Sequence, residues 1–294
     1  MKIHIAWQSK GRGGGGFTFC DTFKKGALAR GHSVTDWDSV DEWKNADVVL
    51  IPSASVITKE YFREMKSAGK KIVLRADNIL KNSRNSNVGM NRMSEFSKGS
   101  DLVIYQCKWA QNLLEDFTGK HGKVVYNGID LDVFNKEGNK LEIEGDPIYV
   151  YSRASRGETK GWHIAWAEYR DIWRKNKDAK LLIIGNFRPE LVEANFDFFN
   201  RENYEYLGML NLEQVADVYR TADYLIAPYF EDAFSNSYLE SLMCGCELYS
   251  SYKELMLSGG TKEMLTLHTM QKSDYFGKER MIDEYIKCFE EICK

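Results

Sequence analysis

The chain has 294 residues, 43% of them hydrophobic, with seven Trp and a net charge of −3, enough for one large or two medium globular domains. No apolar run approaches the roughly 20 residues of a spanning helix. The start, Met-Lys-Ile-His-Ile-Ala-Trp, lacks the apolar region of a secretory leader, and six scattered cysteines form no disulfide framework, so reduced thiols and a cytoplasmic location are expected.

Strands and helices alternate along the first half. Residues 3–7 read as a strand, followed by the glycine-rich loop Gly11-Arg12-Gly13-Gly14-Gly15-Gly16 and a helix over 17–30 that Gly31 stops. Strands are expected at 34–37, 47–52, 71–75, 102–106 and 124–126, with helices at 58–68 and 110–117. Residues 77–100, rich in Asn, Ser, Arg and Gly, read as a long irregular loop, the kind that carries function. A polar break at 135–146 is the best linker candidate. The pattern restarts with strands at 148–151, 180–184, 204–207, 223–228 and 247–250, and helices at 162–175 and 212–221. Another helix begins near Ser235 to Ser237 and carries Leu239, Leu242 and Met243 on one face. The last segment, 278–293, has an apolar stripe at helical period. Alternation of this kind predicts an α/β protein with two parallel-sheet domains, residues 1–145 and 146–294. Ligands of such sheets bind at the carboxyl ends of the strands.

Charge divides along the same line. Residues 1–145 carry a net +4 and residues 146–294 a net −7, and residues 70–98 hold seven basic and two acidic side chains. The two halves therefore face different partners.

Chemistry concentrates in Glu231-Asp232-Ala233-Phe234-Ser235-Asn236-Ser237-Tyr238-Leu239-Glu240. Two carboxylates, Asp232 and Glu240, stand eight positions apart across a strand-to-helix turn. The helix's first amides can hold an anion such as a diphosphate, and the carboxylates can grip hydroxyls on either side of it. Ser237-x-x-Glu240 also fits a capping box, in which both side chains serve helix amides.

The stretch resembles the signature of retaining GT-B glycosyltransferases of the large family that includes bacterial mannosyltransferases and sucrose synthases. Their pattern is Glu, seven residues, Glu. Pro228, Phe234, Glu240, Met243 and Gly245 fall in place; Asp232, with Glu231 beside it, replaces the first Glu, and Glu247 stands where the family has proline. Four more stretches resemble the family in its order. Ala29-Arg30-Gly31-His32-Ser33-Val34 ends the first helix, and Asn127-Gly128-Ile129-Asp130 closes the first domain. Ser152-Arg153 with Lys160-Gly161, and the turn Gly185-Asn186, follow strands of the second.

The resemblance implies a GT-B fold, two Rossmann-like domains facing a central cleft. It implies transfer of a sugar from a nucleotide diphosphate sugar to an acceptor, with retention and without metal or other cofactor. Asp232 would sit by the donor sugar, with Asp77 near it from the first domain. Arg153 and Lys160 would neutralise the leaving diphosphate. Glu240 would bind ribose, and Ser235, Asn236, Ser237, Gly185, Asn186 and the loop glycines Gly14, Gly15 and Gly16 would shape the donor site. The helix 278–294 would pack back on the first domain. That domain would receive the acceptor through Lys81, Arg84 and Arg92, which suits an anionic glycan, a lipid or modified DNA.

Alternatives stay open at this point. Sugar-nucleotide epimerases share the fold, and a nucleotide-sugar binder without turnover would look similar. The glycine run with Asp36 and Asp38 about 20 residues on also fits a dinucleotide fingerprint, hence an NAD-dependent oxidoreductase. His32 and the other histidines read as structural. Cys244-x-Cys246 reads as buried packing, with no partner pair at metal-ligand spacing.

Overall fold

A computed structural model describes residues 1–9, 15–77, 87–152, 161–186, 203–229, 232–249 and 258–294. The chain divides into two compact units, residues 1–128 with 275–294, and residues 129–274. Each is built on one all-parallel sheet.

In the first unit β1 (Lys2–Ile5), β2 (Ser33–Thr35), β3 (Val48–Ile51), β4 (Lys71–Ala76), β5 (Leu102–Tyr105) and β6 (Lys123–Val124) lie in the order β2-β1-β3-β4-β5-β6. Register runs through Ile3 opposite Val48, Val49 opposite Ile72 and Val73 opposite Leu102. The strands are short β-branched and aliphatic runs, and Val48 to Ile51 and Ile72 to Leu74 are fully buried, as strands covered on both faces must be. Strand order reverses beside β1, so the carboxyl ends of β1 and β3 border the crevice where such sheets take ligands.

Helices α1 (Gly15–Ala29), α2 (Lys59–Ser67), α3 (Asn87–Gly99) and α4 (Lys108–Thr118) cover this sheet. Helix α3 corrects the expectation of an irregular loop over 77–100. Its Asn, Ser and Gly content lowers helix propensity, but Met90, Met93, Phe96 and Ser97 form a buried face at helical spacing. Phe96 stacks on Phe62 at 4.2 Å, and a Cβ at Gly99 would come within 2.7 Å of that Phe62 ring. Tertiary packing overrides propensity here.

In the second unit β7 (Ile148–Tyr151), β8 (Lys180–Ile184), β9 (Tyr204–Gly208), β10 (Tyr224–Ile226) and β11 (Glu247–Tyr249) take the order β11-β10-β7-β8-β9. Among the described residues its helices are α5 (Trp162–Lys175), α6 (Leu212–Thr221), α7 (Asn236–Met243) and α8 (Gly259–Met270). Asn211 and Gln214 form a capping box at the start of α6. The unit begins at Ile129, so the polar break at 135–146 belongs to it and is not a linker. Phe134 is buried. The backbone that follows is strapped to α6: Arg220 donates to the carbonyls of Val133, Asn135 and Asn139, and Thr221 Oγ1 accepts from the Leu141 amide. The charged side chains of the break are the outer side of that strap.

The chain returns to the first unit in α9 (Lys278–Cys293). Ile282, Tyr285 and Phe289 are buried, the last two against Phe19 and Phe23 of α1. The two helices approach so closely that a Cβ at Gly26 would lie 2.2 Å from Ile282 Cδ1. Arg30 at the end of α1 pairs with Glu279 at 2.8 Å and Asp283 at 2.6 Å.

Candidate functional site

In the second unit the strand order reverses between β7 and β10, so their carboxyl ends border the crevice where a ligand binds. Three buried tyrosines join those ends. Tyr229, just past β10, donates its hydroxyl to the Ser152 carbonyl at 2.6 Å and lies 3.0 Å from Ser152 Oγ. Its amide donates to the Tyr238 hydroxyl of α7 at 3.4 Å. Tyr151 packs edge-on against the Tyr229 ring. Burial, reinforced by the Tyr229 hydroxyl, raises the Tyr151 and Tyr238 pKa values well above the usual range, so both remain neutral hydrogen-bonding groups.

The same turn receives the far end of the loop that follows β7. Gly161, the residue before α5, has φ +69°, and a Cβ there would sit 2.6 Å from the Pro228 carbonyl oxygen. Ser152 is thus hydrogen-bonded to the β10–α7 turn, and Gly161 packs closely against it. Arg153 and Lys160 stand between them and lie outside the described residues, as do Glu231, Gly14, Lys81 and Arg84.

Asp232 is half-buried in this turn, and its negative charge adds to the rise in the Tyr238 pKa. Ala233, Phe234 and Ser235 are buried behind it. Ser235 is the residue at the N-cap of α7, yet its side chain makes no capping hydrogen bond, and its Oγ is buried without a partner among the described residues. Asn236 and Ser237 follow as the first two helical residues. Their position removes the capping-box reading: a box would need Ser235 with Tyr238, so Glu240, half-buried one turn into the helix, is released from that role. Asn236, Ser237 and Tyr238 occupy the first turn, whose amides have no partners inside the helix.

Gly185, at the end of β8, has φ +126° and donates its amide to the Gly208 carbonyl at 2.8 Å. The Tyr206 hydroxyl donates to the Gly185 carbonyl at 2.7 Å, and Asn186 is exposed beside it. The donor-side residues described therefore all stand along one edge of the sheet. A separate groove of about 860 Å³ runs along α5, lined by Tyr149, Glu168, Ile172, Lys175 and Tyr249 among others, and includes none of them.

In the first unit Gly15 and Gly16 open α1, with the Trp7 ring 3.9 Å from where a Gly16 Cβ would be. Asp77 follows β4, its Oδ1 shielded from solvent. Arg92 is on α3, not in an irregular loop. It donates to the Ile57 carbonyl at 3.3 Å and its Nε is buried, so its guanidinium is engaged in holding the chain before α2. Asp36, the candidate ribose ligand of a dinucleotide site, is buried and paired with Lys24 at 2.5 Å. His4 is buried between Thr35 and Tyr61, and burial lowers its pKa to about 4. Cys244 and Cys246 are buried. Among the described residues no group of His, Cys, Asp and Glu could hold a metal ion, and no helix is long and apolar enough to cross a membrane.

Sequence reasoning missed the tyrosine clamp of Ser152, Tyr229 and Tyr238. It also missed a buried polar chain at the carboxyl edge of the first sheet, where Arg75, Asn127 and Gln106 are each about 95% buried. Asn127 was read within a motif, but its bonds to Arg75 and Gln106 depend on which strands become neighbours. A buried Tyr or Arg that must find partners was the available signal.

Residues 146–252 match the family described as glycosyl transferases group 1. By sequence, no curated protein matches the chain significantly. Among solved structures, Anabaena HepE in complex with UDP and glucose superposes with a TM-score of 0.66 at 13% identity, covering 99% of this chain and 98% of that one. Sucrose-phosphate synthase from Thermosynechococcus elongatus gives 0.66 at 11% identity, covering 99% and 96%. An alpha-glucosyltransferase in complex with UDP and a 13-mer DNA containing a HMU base gives 0.57 at 12% identity, covering all of both chains. The second unit carries a glycosyltransferase group 1 domain, the two parallel-sheet units have the GT-B architecture, and the protein is a glycosyltransferase.

Proposed function

We propose that the enzyme transfers a sugar, with retention and without a metal ion, from a nucleotide diphosphate sugar on the second unit to an acceptor on the first. The observation that carries the donor side is the convergence of Ser152, bonded to Tyr229, and Gly161, packed against Pro228, on the β10–α7 turn. Arg153 and Lys160 fall between these two residues in the sequence, and we assign to them the contact with an anion at the first amides of α7. A guanidinium fork, a lysine charge and those amides together stabilise the leaving diphosphate, the task a magnesium ion performs elsewhere. Losing one such group typically costs on the order of 100-fold in turnover.

Glu240, free of a capping role, binds the ribose hydroxyls, and Asp232 lies on the sugar side. Gly185 and Asn186 border the nucleotide. UDP, the nucleotide bound in the HepE and alpha-glucosyltransferase structures, is the nucleotide favoured for this site. Asp77, just past the carboxyl end of β4, accepts a hydrogen bond from a sugar or acceptor hydroxyl. The excess of basic residues in the first half favours an acceptor with negative charge, and a modified DNA is one such acceptor, since one protein of this fold was solved with it. Lys81 and Arg84 are the residues to carry that contact; Arg92, bonded to the Ile57 carbonyl, supports the chain beside it.

The test is a calorimetric titration with UDP and other nucleoside diphosphates, followed by mass spectrometry of candidate acceptors incubated with the matching sugar nucleotide. Sugar must appear on an acceptor, and Arg153→Ala and Lys160→Ala must each lower turnover with the fold intact. Full loss of activity with EDTA, restored by manganese, contradicts the metal-free part of the reading.

A further inference from the structure

Two stretches of chain join the units, one leaving the first unit at Gly128 and one returning to it at Tyr275. The first follows β6, which ends at Val124, and the second precedes α9, which begins at Lys278. They meet backbone to backbone. A Cβ at Gly128 would lie 2.5 Å from the Gly277 carbonyl oxygen and 2.8 Å from Lys278 Cα, so only glycine allows the approach. The Gly128 amide donates to Met281 Sδ at 3.2 Å, and the rings of Tyr126 and Tyr275 stand 6.3 Å apart.

Arg280 clasps the two stretches. Its Nε donates to the Tyr275 carbonyl at 2.7 Å, and its Nη2 donates to the Tyr126 carbonyl at 2.8 Å and the Asn127 carbonyl at 3.4 Å. Nη1 reaches Glu284 at 2.8 Å, and the guanidinium carbon lies 4.8 Å from the centre of the Tyr275 ring. The side chain is largely buried. Its place in the helix works against it: Arg280 is the third residue of α9, and a cation in the first turn is disfavoured by the helix dipole. What the position gains is a planar fork of donors that serves carbonyls on two stretches at once, which an ammonium cannot reproduce. Asn127 carries the clasp into the sheet. Its side chain accepts from Arg75 at 3.3 Å and donates to Gln106 at 2.9 Å. Arg75 in turn donates to the Pro52 carbonyl at 3.4 Å, and Gln106 to the Ala76 carbonyl at 3.5 Å. All three side chains are buried, and a buried polar network bonded in this way rigidifies what it joins. The connections are thereby fixed to the carboxyl ends of β3, β4 and β5.

We propose that Arg280 is a positioning residue for glycosyl transfer: it binds the outgoing and the returning connection into one joint and holds that joint on the carboxyl edge of the first sheet. This rests on the reading that donor and acceptor are bound on different units, so that turnover, unlike nucleotide binding, depends on the connections. The partners of Arg280, namely Tyr126, Asn127, Tyr275 and Glu284, all belong to the first unit. The donor-side residues Ser152, Gly161 and Tyr229 and helix α7 belong to the second. Loss of the clasp should therefore spare the nucleotide site and act on transfer. An arginine that only packed α9 in place would do the reverse: its removal would lower the stability of the first unit and leave turnover per folded molecule unchanged.

Distances between spin labels on the two units read the joint in the full chain. The labels go on Glu60→Cys of α2 and Met270→Cys of α8, both exposed, in a Cys293→Ser background that removes the exposed cysteine. In Arg280→Met the distance distribution should broaden, and the dissociation constant of UDP should stay within about twofold of the parent value. The kcat for UDP release from UDP-glucose, used as a probe donor, should fall about 10- to 100-fold with donor KM little changed. Arg280→Lys, which keeps the charge and loses the fork, should recover only part of that turnover. Gly128→Ala, which parts the two stretches at Gly277 and leaves the arginine in place, should also broaden the distribution. An unchanged width in a folded Arg280→Met overturns the proposal. So does a broadened distribution with undiminished turnover, since the clasp would then serve the fold only. If neither variant folds, the wild type decides: the Arg280 Nε proton, recognised in NMR by its contacts with the Tyr275 ring, must exchange with solvent far more slowly than that of a surface arginine, and rapid exchange overturns the clasp. A wild type that binds no nucleoside diphosphate would instead overturn the donor reading, and the label distances would still judge the joint.

Discussion

Replacing Gly161 by alanine tests the anchoring of the 153–160 loop directly. Two costs can be worked from the geometry. The residue has φ +69°, and a left-handed conformation costs an L-residue with a Cβ roughly 1–2 kcal/mol. The new Cβ would also lie 2.6 Å from the Pro228 carbonyl oxygen and 2.8 Å from Pro228 Cγ. The first of these is backbone at the end of β10, so relief requires the turn or the loop to move, at about 1–3 kcal/mol as for other overpacked sites. A loss of about 2–5 kcal/mol follows for the second unit. Gly161→Asn separates the two costs, because asparagine tolerates the left-handed region while carrying the same Cβ; it should recover only the conformational part, about 1 kcal/mol. Urea unfolding read by the fluorescence of Trp162 and Trp166, both buried beside the site, measures the stability, and titration with UDP measures the anion site. Because the strain is relieved only by moving the loop or the turn, nucleotide affinity should fall in both variants. If Gly161→Ala unfolds within about 0.5 kcal/mol of wild type and binds nucleotide equally well, the loop does not meet Pro228 in the way described.

Other consequences can be measured alongside. Glu240→Gln should weaken sugar-nucleotide binding by about 10- to 100-fold, the loss expected when a charged hydrogen-bond partner is removed, with the melting temperature held; equal affinity and a lower melting temperature would return Glu240 to a structural role. Ser235→Ala should leave the melting temperature unchanged or raised, since its buried Oγ caps nothing; a loss of about 1 kcal/mol, as for a true N-cap, would contradict that. Ile282→Ala removes a fully buried side chain packed on Gly26 and should cost about 2–5 kcal/mol in the unfolding of the first unit; a normal urea midpoint there would refute the packing of α9. His4 is neutral when folded, with its pKa lowered from 6.5 to about 4 by burial. The unfolded chain therefore binds the extra proton between those values. Stability from this site should be complete above pH 6.5 and fall by up to about 3 kcal/mol towards pH 4, and His4→Gln should flatten that part of the stability–pH curve.

What the sequence made legible, and what it did not, follows from the range of the interactions involved. Strands such as 48–51 and 72–74 announce themselves because burial on both faces demands an unbroken apolar run, which is a local property. The stretch from Pro228 to Gly245 was legible because a strand end, a turn and a helix start are contiguous in the chain. Helix α3 was not, because the contacts that hold it, Phe96 on Phe62 and Gly99 against the same ring, come from α2, and its own residues are poor helix formers. The strap at 135–146 looked like a linker because its charges were visible and Arg220, which holds its carbonyls, is some 80 residues away.

The same distinction separates the groups proposed to touch substrate from those that hold them. Asp232, Glu240 and the α7 amides share one short stretch, so a sequence pattern can carry them together. Their supports come from elsewhere: Ser152 reaches Tyr229 across 77 positions, and Arg75 reaches Asn127 across 52. A pattern of spacing cannot express such pairs, because they exist only once β7 lies beside β10 and the ends of β4, β5 and β6 lie side by side. Substitution can still expose them. A variant of Tyr229 that keeps the ring but loses the hydroxyl, Tyr229→Phe, leaves the packing against Tyr151 and Tyr238 in place and removes the bonds to Ser152. It should therefore weaken UDP binding while costing about 1 kcal/mol of stability. The opposite result, unaltered affinity at the same stability cost, would mean that the clamp supports the fold of the second unit and plays no part in holding the 153–160 loop at the anion site.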